Sequence, residues 1–314
     1  MAHRLSGGIA VVLLLLTSCG ESTIPQGPPN EEPSPAASFP VTIDAANGAV
    51  SIAEQPTRIV SLSPTATEML FAIRAGDQVE AVDDQSDYPS DAPMTDLSGF
   101  EPNVEAIVSY GPDLVVYSTE PGDLGATLEG LGITALQQPA ATTLADVYEQ
   151  IDQLGVATGN VSEADAVVER MRAQIRSIAA SIEPPSEPVT YYHELDDTYY
   201  SVTSSTFIGQ LYSLVGLKNI ADEAKGAGGG YPQLSAEYIV DADPDLIFLA
   251  DTKCCGQSPR TVSKRPGWDR IAAVENGGVI PLDDDVASRW GPRVVDYLRR
   301  IAEAVADVLE AKAA

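Results

Sequence analysis

The sequence predicts an α/β fold: two Rossmann-like lobes, each a central parallel sheet flanked by helices, joined by one long rigid helix. Three observations carry this prediction. From Val41 onward, short β-branched runs alternate with helical patterns, which is the signature of parallel βαβ units. Asn103–Tyr117 (NVEAIVSYGPDLVVY) aligns without gaps on Ser235–Leu249 (SAEYIVDADPDLIFL), and a weaker echo pairs Gly132–Leu136 (GITAL) with Gly278–Leu282 (GVIPL). A repeat this far apart exceeds the roughly 20–50-residue units of solenoids and marks two lobes of similar build. Between the copies, Ser162–Ile182 holds no Gly or Pro, and Val167, Met171, Ile175, Ile178 and Ile182 form one helical stripe. The chain's 314 residues also exceed what one core supports, roughly 250–300 residues.

Arg4 precedes the apolar run Ile9–Leu16, which is too short to span a bilayer needing about 20 residues, so residues 1–18 read as a secretory signal. Leu16-Thr17-Ser18-Cys19 resembles the lipobox of bacterial lipoproteins, which implies diacylation of Cys19 and an extracytoplasmic protein anchored to the cell membrane. Residues 19–40, rich in Pro, Ser, Gly and Glu, read as a disordered tether. An N-terminal lobe then spans 41–160. It opens with a hairpin around Asn47-Gly48 and carries strands at Arg58–Leu62, Leu114–Tyr117 and Thr134–Leu136, with a helix beginning in Thr67–Ile73. The connecting helix occupies 161–184, with Ser162 as its N-cap and Pro184-Pro185 as its stop. The C-terminal lobe, 185–314, places strands at Val189–His193, Leu246–Leu249 and Gly278–Pro281.

Composition excludes several functions. With 18 Lys+Arg against 46 Asp+Glu, the net charge is -28, and nucleic-acid binding, which draws on clustered cations, is set aside. Beyond the leader there is one histidine, His193, so His-rich zinc chemistry is absent and no metal site is expected. The glycines around Gly228 lack the Gly-Lys-Ser/Thr ending of a phosphate loop. Cys254 and Cys255 are adjacent, either forming a strained vicinal disulfide or staying reduced. No acid–base pair is identified by spacing, so the chain is read as a non-enzyme without a catalytic cofactor. A secreted hydrolase using Asp196 and Asp285 is the reading from another class. What remains is recognition apparatus, with 12 tyrosines. Of Tyr191 and Tyr192, one is expected in the core, since strand neighbours point to opposite faces.

Arg58–Leu70 (RIVSLSPTATEML), Ser86–Pro89 (SDYP), Tyr231–Val240 (YPQLSAEYIV) and Ile280–Arg293 (IPLDDDVASRWGPR) come in this order behind the lipobox. Together they resemble the helical-hinge (class III) substrate-binding proteins of ABC importers for cobalamin, haem and ferric siderophores, with the cobalamin binders nearest. The resemblance covers nearly all of residues 56–312. It implies a monomer that holds a metal chelate, a cobalt corrinoid or else an iron chelate, between its lobes. It also implies delivery to a permease dimer with its ATPase subunits. Glu105 and Glu237, which the internal repeat superposes, match the glutamates that dock on the permease. Tyr231, Gln85, Asp285 and Arg289 match cleft residues, and Phe100, Tyr199 and Trp290 join them as aromatic candidates. Gly99 stands where the cobalamin binder has a tryptophan, and Val286 replaces another aromatic. An anionic siderophore would use Arg289, Arg293, Lys253 or Arg260 as counter-charges, and haem would take an axial Tyr199, Tyr200 or His193.

Overall fold

The structure, a computed structural model, describes residues 38–183 and 187–313. The leader, Cys19, residues 19–37 of the tether, and Pro184-Pro185 lie outside the described residues. Phe39, within the span read as tether, is partly buried against the core, so the globular body begins before Val41.

The N-terminal lobe opens on an antiparallel hairpin, β1 (Val41–Ala45) with β2 (Gly48–Ile52). Gly48 supplies the positive φ of +104° that the turn requires. There follow β3 (Ile59–Leu62), α1 (Pro64–Ala72), β4 (Val79–Asp83), β5 (Met94–Leu97) and α2 (Val104–Ser109). The lobe continues through β6 (Leu114–Tyr117), α3 (Leu124–Gly130), β7 (Thr134–Gln137) and α4 (Leu144–Thr158). Its parallel sheet has the order β5-β4-β3-β6-β7. After α5 (Val161–Ser181) the second lobe holds β8 (Thr190–Glu194), α6 (Phe207–Ser213), β9 (Lys218–Asn219), α7 (Ala236–Ala242) and β10 (Leu246–Leu249). It ends with α8 (Pro259–Val262), α9 (Ala272–Glu275), β11 (Val279–Pro281), α10 (Asp284–Ser288) and α11 (Val294–Ala313). Its parallel sheet has the order β11-β10-β8-β9.

The two sheets share one plan. In each, a first strand (β3 or β8) pairs in parallel with the strand of the sequence repeat (β6 or β10), which then pairs with the echo strand (β7 or β11). The Pro-Asp of the repeat has a physical role in both copies. Asp113 Oδ2 accepts from the backbone N (2.8 Å) and Oγ1 (3.0 Å) of Thr57, and Asp245 Oδ2 accepts from the same atoms of Thr190 (2.9 and 3.1 Å). Each aspartate thus fixes the neighbouring strand at its entry.

Several local expectations need correction. α1 begins before Thr67, at Pro64: Ser63 caps it, its side chain accepting from Ala66 N. α5 starts one residue before Ser162, with Asn160 in the cap position, and Ser162 Oγ bonds Glu163 within the first turn. Tyr191 and Tyr192 are both fully buried, because helices cover both faces of the second sheet. Strands β4, β5 and β9 were not anticipated.

On α5, Val167, Met171 and Ile175 are buried and Ile178 is partly so, as is Ile182 at its C-cap. At 1.5 Å per residue the helix is about 30 Å long. It lies so close to α4 that a Cβ on Gly155 would sit 2.5 Å from Ala164 Cβ. α11 packs along α5 and also against α6. Through these helices one apolar cluster runs from Leu70 and Val116 of the first lobe to Phe248 and Leu282 of the second. A continuous core of this kind makes the joint stiff.

Candidate ligand cleft at the carboxyl ends of the two sheets

In open parallel sheets, ligands bind beyond the carboxyl ends of the strands. Here the loops leaving those ends meet across the lobes. Arg289, after β11, donates from Nη1 to Asp87 Oδ1 (3.1 Å) and from Nη2 to the Gln85 carbonyl (2.8 Å), both on the loop after β4. Four aromatic rings are exposed on these loops: Tyr88 (47%) and Phe100 (73%) on the first lobe, Tyr200 (40%) and Tyr231 (54%) on the second. Tyr200 and Tyr231 lie on adjoining segments, held together by Ser201 N to Pro232 O (2.9 Å) and Thr203 N to Gly230 O (2.8 Å).

Gly99 explains why the aromatic stands at Phe100. A Cβ at Gly99 would lie 2.5 Å from the Leu62 carbonyl oxygen and 2.8 Å from Asp83 Oδ2, so no side chain fits there. Phe100, one residue on, is free to project.

The other candidate residues occupy different environments. Gln85 is exposed and offers its carbonyl to Arg289. Tyr199 has a left-handed φ of +69°, which turns its ring inward to stack on Trp268, centroids 5.7 Å apart. Its neighbour Tyr200 is therefore the exposed ring of the pair. Trp290 packs partly against the core and donates from Nε1 to Gln150 Oε1 of α4 (2.9 Å), tying the lobes together. His193 is fully buried, with Nδ1 2.8 Å from the Tyr212 hydroxyl, and burial holds its pKa down at about 3. It cannot reach a ligand in the cleft. Cys254 and Cys255 are free thiols, the first exposed and the second half-buried.

Three of the four cations named as counter-charges are engaged, whereas Arg260, on α8, is exposed and makes no ion pair among the described residues. Lys253 Nζ lies 2.9 Å from Asp283 and 2.5 Å from Asp285. Arg289, its side chain only 9% exposed, also meets Asp285 (3.0 Å) and Glu68 of α1 (3.1 Å). Arg293 donates from Nε to Glu68 Oε2 (2.9 Å) and lies 4.2 Å from the centre of the Tyr88 ring. Glu68, whose side chain is 1% exposed, thus receives both guanidiniums across the lobe boundary. It lies within the RIVSLSPTATEML motif, yet no pattern in the sequence distinguishes it from a surface helical glutamate.

A second polar cluster lies under the second lobe's loops. Strand register places Tyr192 and Glu194 of β8 on the same face as Leu249 of β10 and Asp251 just beyond it. Glu194 is held bidentately by Arg265 (both 2.6 Å), and Asp251, fully buried, has neither carboxylate oxygen hydrogen-bonded. Burial, followed by the charge of Glu194, pushes the Asp251 carboxyl up to about 8.

Glu105 and Glu237 occupy matched sites. Each is exposed in the first turn of a short helix, α2 or α7, capped by Asn103 or Ser235, and each helix leads into the repeat strand of its lobe. Its own backbone N–H, followed by the Ser235 hydroxyl, holds the Glu237 carboxyl below its ordinary range.

Residues 59–286 match the periplasmic binding protein family. The chain is 32% identical over 277 residues to an uncharacterised ABC transporter substrate-binding lipoprotein, YvrC, of Bacillus subtilis, covering 85% of this chain and 86% of that protein. It is 31% identical over 307 residues to a cobalamin-binding protein of Halobacterium salinarum, covering 94% and 82%. The solved vitamin B12-binding protein BtuF of Vibrio cholerae superposes with a TM-score of 0.65 at 24% identity, over 81% of this chain and 98% of that one, and heme-binding proteins share the fold at similar scores. At these identities the solved structures speak for the fold alone. Two parallel-sheet lobes, the stiff connecting helix, the aromatic loops between them and these likenesses converge: the chain belongs to the periplasmic binding protein family, the extracytoplasmic substrate-binding proteins of ABC transporters.

Proposed function

We propose that this protein captures a corrinoid between its lobes and passes it, chemically unchanged, to an ABC permease dimer with its ATPase subunits, while held to the membrane through acylated Cys19. One observation carries the choice of ligand. Four exposed aromatic rings line the loops, whereas Lys253, Arg289 and Arg293 are each neutralised by carboxylates. Stacking surface whose cations at the lobe boundary are already paired suits a large ring edged by amides. It suits poorly the propionates of haem or an anionic ferric catecholate, which need free cations. The Halobacterium and Vibrio relatives named for cobalamin and vitamin B12 support the same reading. Glu105 and Glu237 are the docking carboxylates, one per lobe, placed to meet a two-fold partner.

The visible absorption spectrum of protein purified from its native host tests the ligand. Corrinoid bands are expected, and a Soret band or a ferric catecholate band would overturn the assignment.

A further inference from the structure

We infer that Glu68 sets the charge selectivity of the cleft: it engages Arg289 and Arg293 across the lobe boundary and so withdraws them as counter-charges for an anionic ligand. The inference rests on the cleft being the ligand site and does not depend on the ligand being a corrinoid.

Glu68 sits in the middle of α1 on the first lobe, and both arginines come from the segment after α10 on the second. Glu68 Oε1 receives Arg289 Nη1 (3.1 Å) and Oε2 receives Arg293 Nε (2.9 Å), so one buried carboxylate is shared by two guanidiniums. A carboxylate has about four acceptor positions, so both arginines are accommodated by it. The outer ends of the arginines meet further acid: Arg289 reaches Asp87 and Asp285, and Asp285 is bridged by Lys253 to Asp283. The group therefore holds three cations, Lys253, Arg289 and Arg293, against four carboxylates, Glu68, Asp87, Asp283 and Asp285. Its surplus is one negative charge, and Glu68 is the member most shielded from solvent, so its charge is the least screened. Neutralising it would leave three cations facing three carboxylates and would free hydrogen-bonding capacity on both guanidiniums. Glu68 also fixes an aromatic: Arg293, held by Glu68, lies over the ring of Tyr88. Glu68 touches no ligand and acts through these three side chains, which makes it a positioning residue.

The test titrates wild-type protein and Glu68→Gln with cyanocobalamin, which has no net charge, with haemin, which carries two carboxylates, and with haemin dimethyl ester, which has lost them. Haemin is expected to tighten about tenfold in Glu68→Gln, corresponding to about 1.4 kcal/mol. The ester and cyanocobalamin are expected to move less than about threefold, since neither presents a carboxylate to the freed arginines. Equal changes for haemin and its ester, or no gain for haemin, overturn the inference and leave Glu68 a purely structural clasp. Failure of wild-type protein to bind cyanocobalamin contradicts the corrinoid reading alone, because the haemin-to-ester ratio is read between variant and wild type. If Glu68→Gln does not fold, the double variant Glu68→Gln/Arg293→Gln removes one buried cation together with the buried anion and still releases Arg289 from Glu68. It is expected to shift the haemin-to-ester ratio in the same direction, and an unchanged ratio there overturns the inference.

Discussion

Tyr199 and Tyr200 differ by one position and by everything that matters to a ligand. The left-handed backbone at Tyr199 turns its ring onto Trp268 beneath Arg265, while Tyr200 stays 40% exposed. The tyrosine richness of this stretch is legible in the sequence, but which ring faces outward depends on a dihedral that no residue pattern specifies. The same limit hides Tyr88, whose SDYP motif is visible but whose partner Arg293 is more than 200 positions away. Phe100 was legible as the neighbour of Gly99, and the structure adds why glycine is required there. Two predictions belong to these residues. Phe100→Ala and Tyr231→Ala should each weaken cyanocobalamin binding about tenfold, as loss of a stacking anchor does. Thermal midpoints should stay unchanged because both rings are exposed, and calorimetry with differential scanning fluorimetry reads both quantities. Gly99→Ala should destabilise the protein by about 1–3 kcal/mol in urea unfolding, since its Cβ would press on the Leu62 carbonyl.

Among elements, the internal repeat was the most legible feature, because helix, Pro-Asp turn and buried strand each leave a residue signature. The structure converts that likeness into equivalent sheet positions and places Glu105 and Glu237 on equivalent helices. Charge reversal at both, Glu105→Arg with Glu237→Arg, should abolish uptake in whole cells while leaving cyanocobalamin affinity within about twofold, since both side chains are solvent-exposed. Lost affinity would contradict a docking role. The elements that escaped prediction are β4, β5 and β9. β5 (MTDL) is an edge strand with two of its four residues exposed, and β9 is two residues long, so neither carries enough apolar pattern to register. The connecting helix was legible from its stripe, whereas its true start was not, because Asn160 caps it by position without a side-chain bond.

For the whole molecule, two buried groups with large and opposite shifts contribute to the dependence of stability on pH. His193 titrates near 3 when folded and near 6.5 when unfolded, so its contribution is present above pH 6.5 and is lost as pH falls toward 3. Asp251 is raised to about 8 from 3.8, so the folded protein keeps a proton that the unfolded chain has released. Its contribution is full below about pH 3.8 and is lost as pH rises through 8. Between these limits the two oppose each other up to pH 6.5, and above it only Asp251 of the pair still contributes a slope. Urea-unfolding stability should therefore decline from pH 6.5 to 8 by up to about 1.4 kcal/mol per unit, and Asp251→Asn should flatten that decline. Neither shift is legible in the sequence, since both arise from burial by elements distant along the chain.

The most direct test of the central claim, an uncharged ring held between aromatic loops, is a calorimetric titration of the mature chain with cyanocobalamin and, separately, with haemin. One cyanocobalamin should bind per chain at least about tenfold more tightly than haemin, a margin of about 1.4 kcal/mol. Tighter binding of haemin, or no heat with cyanocobalamin, would contradict the account.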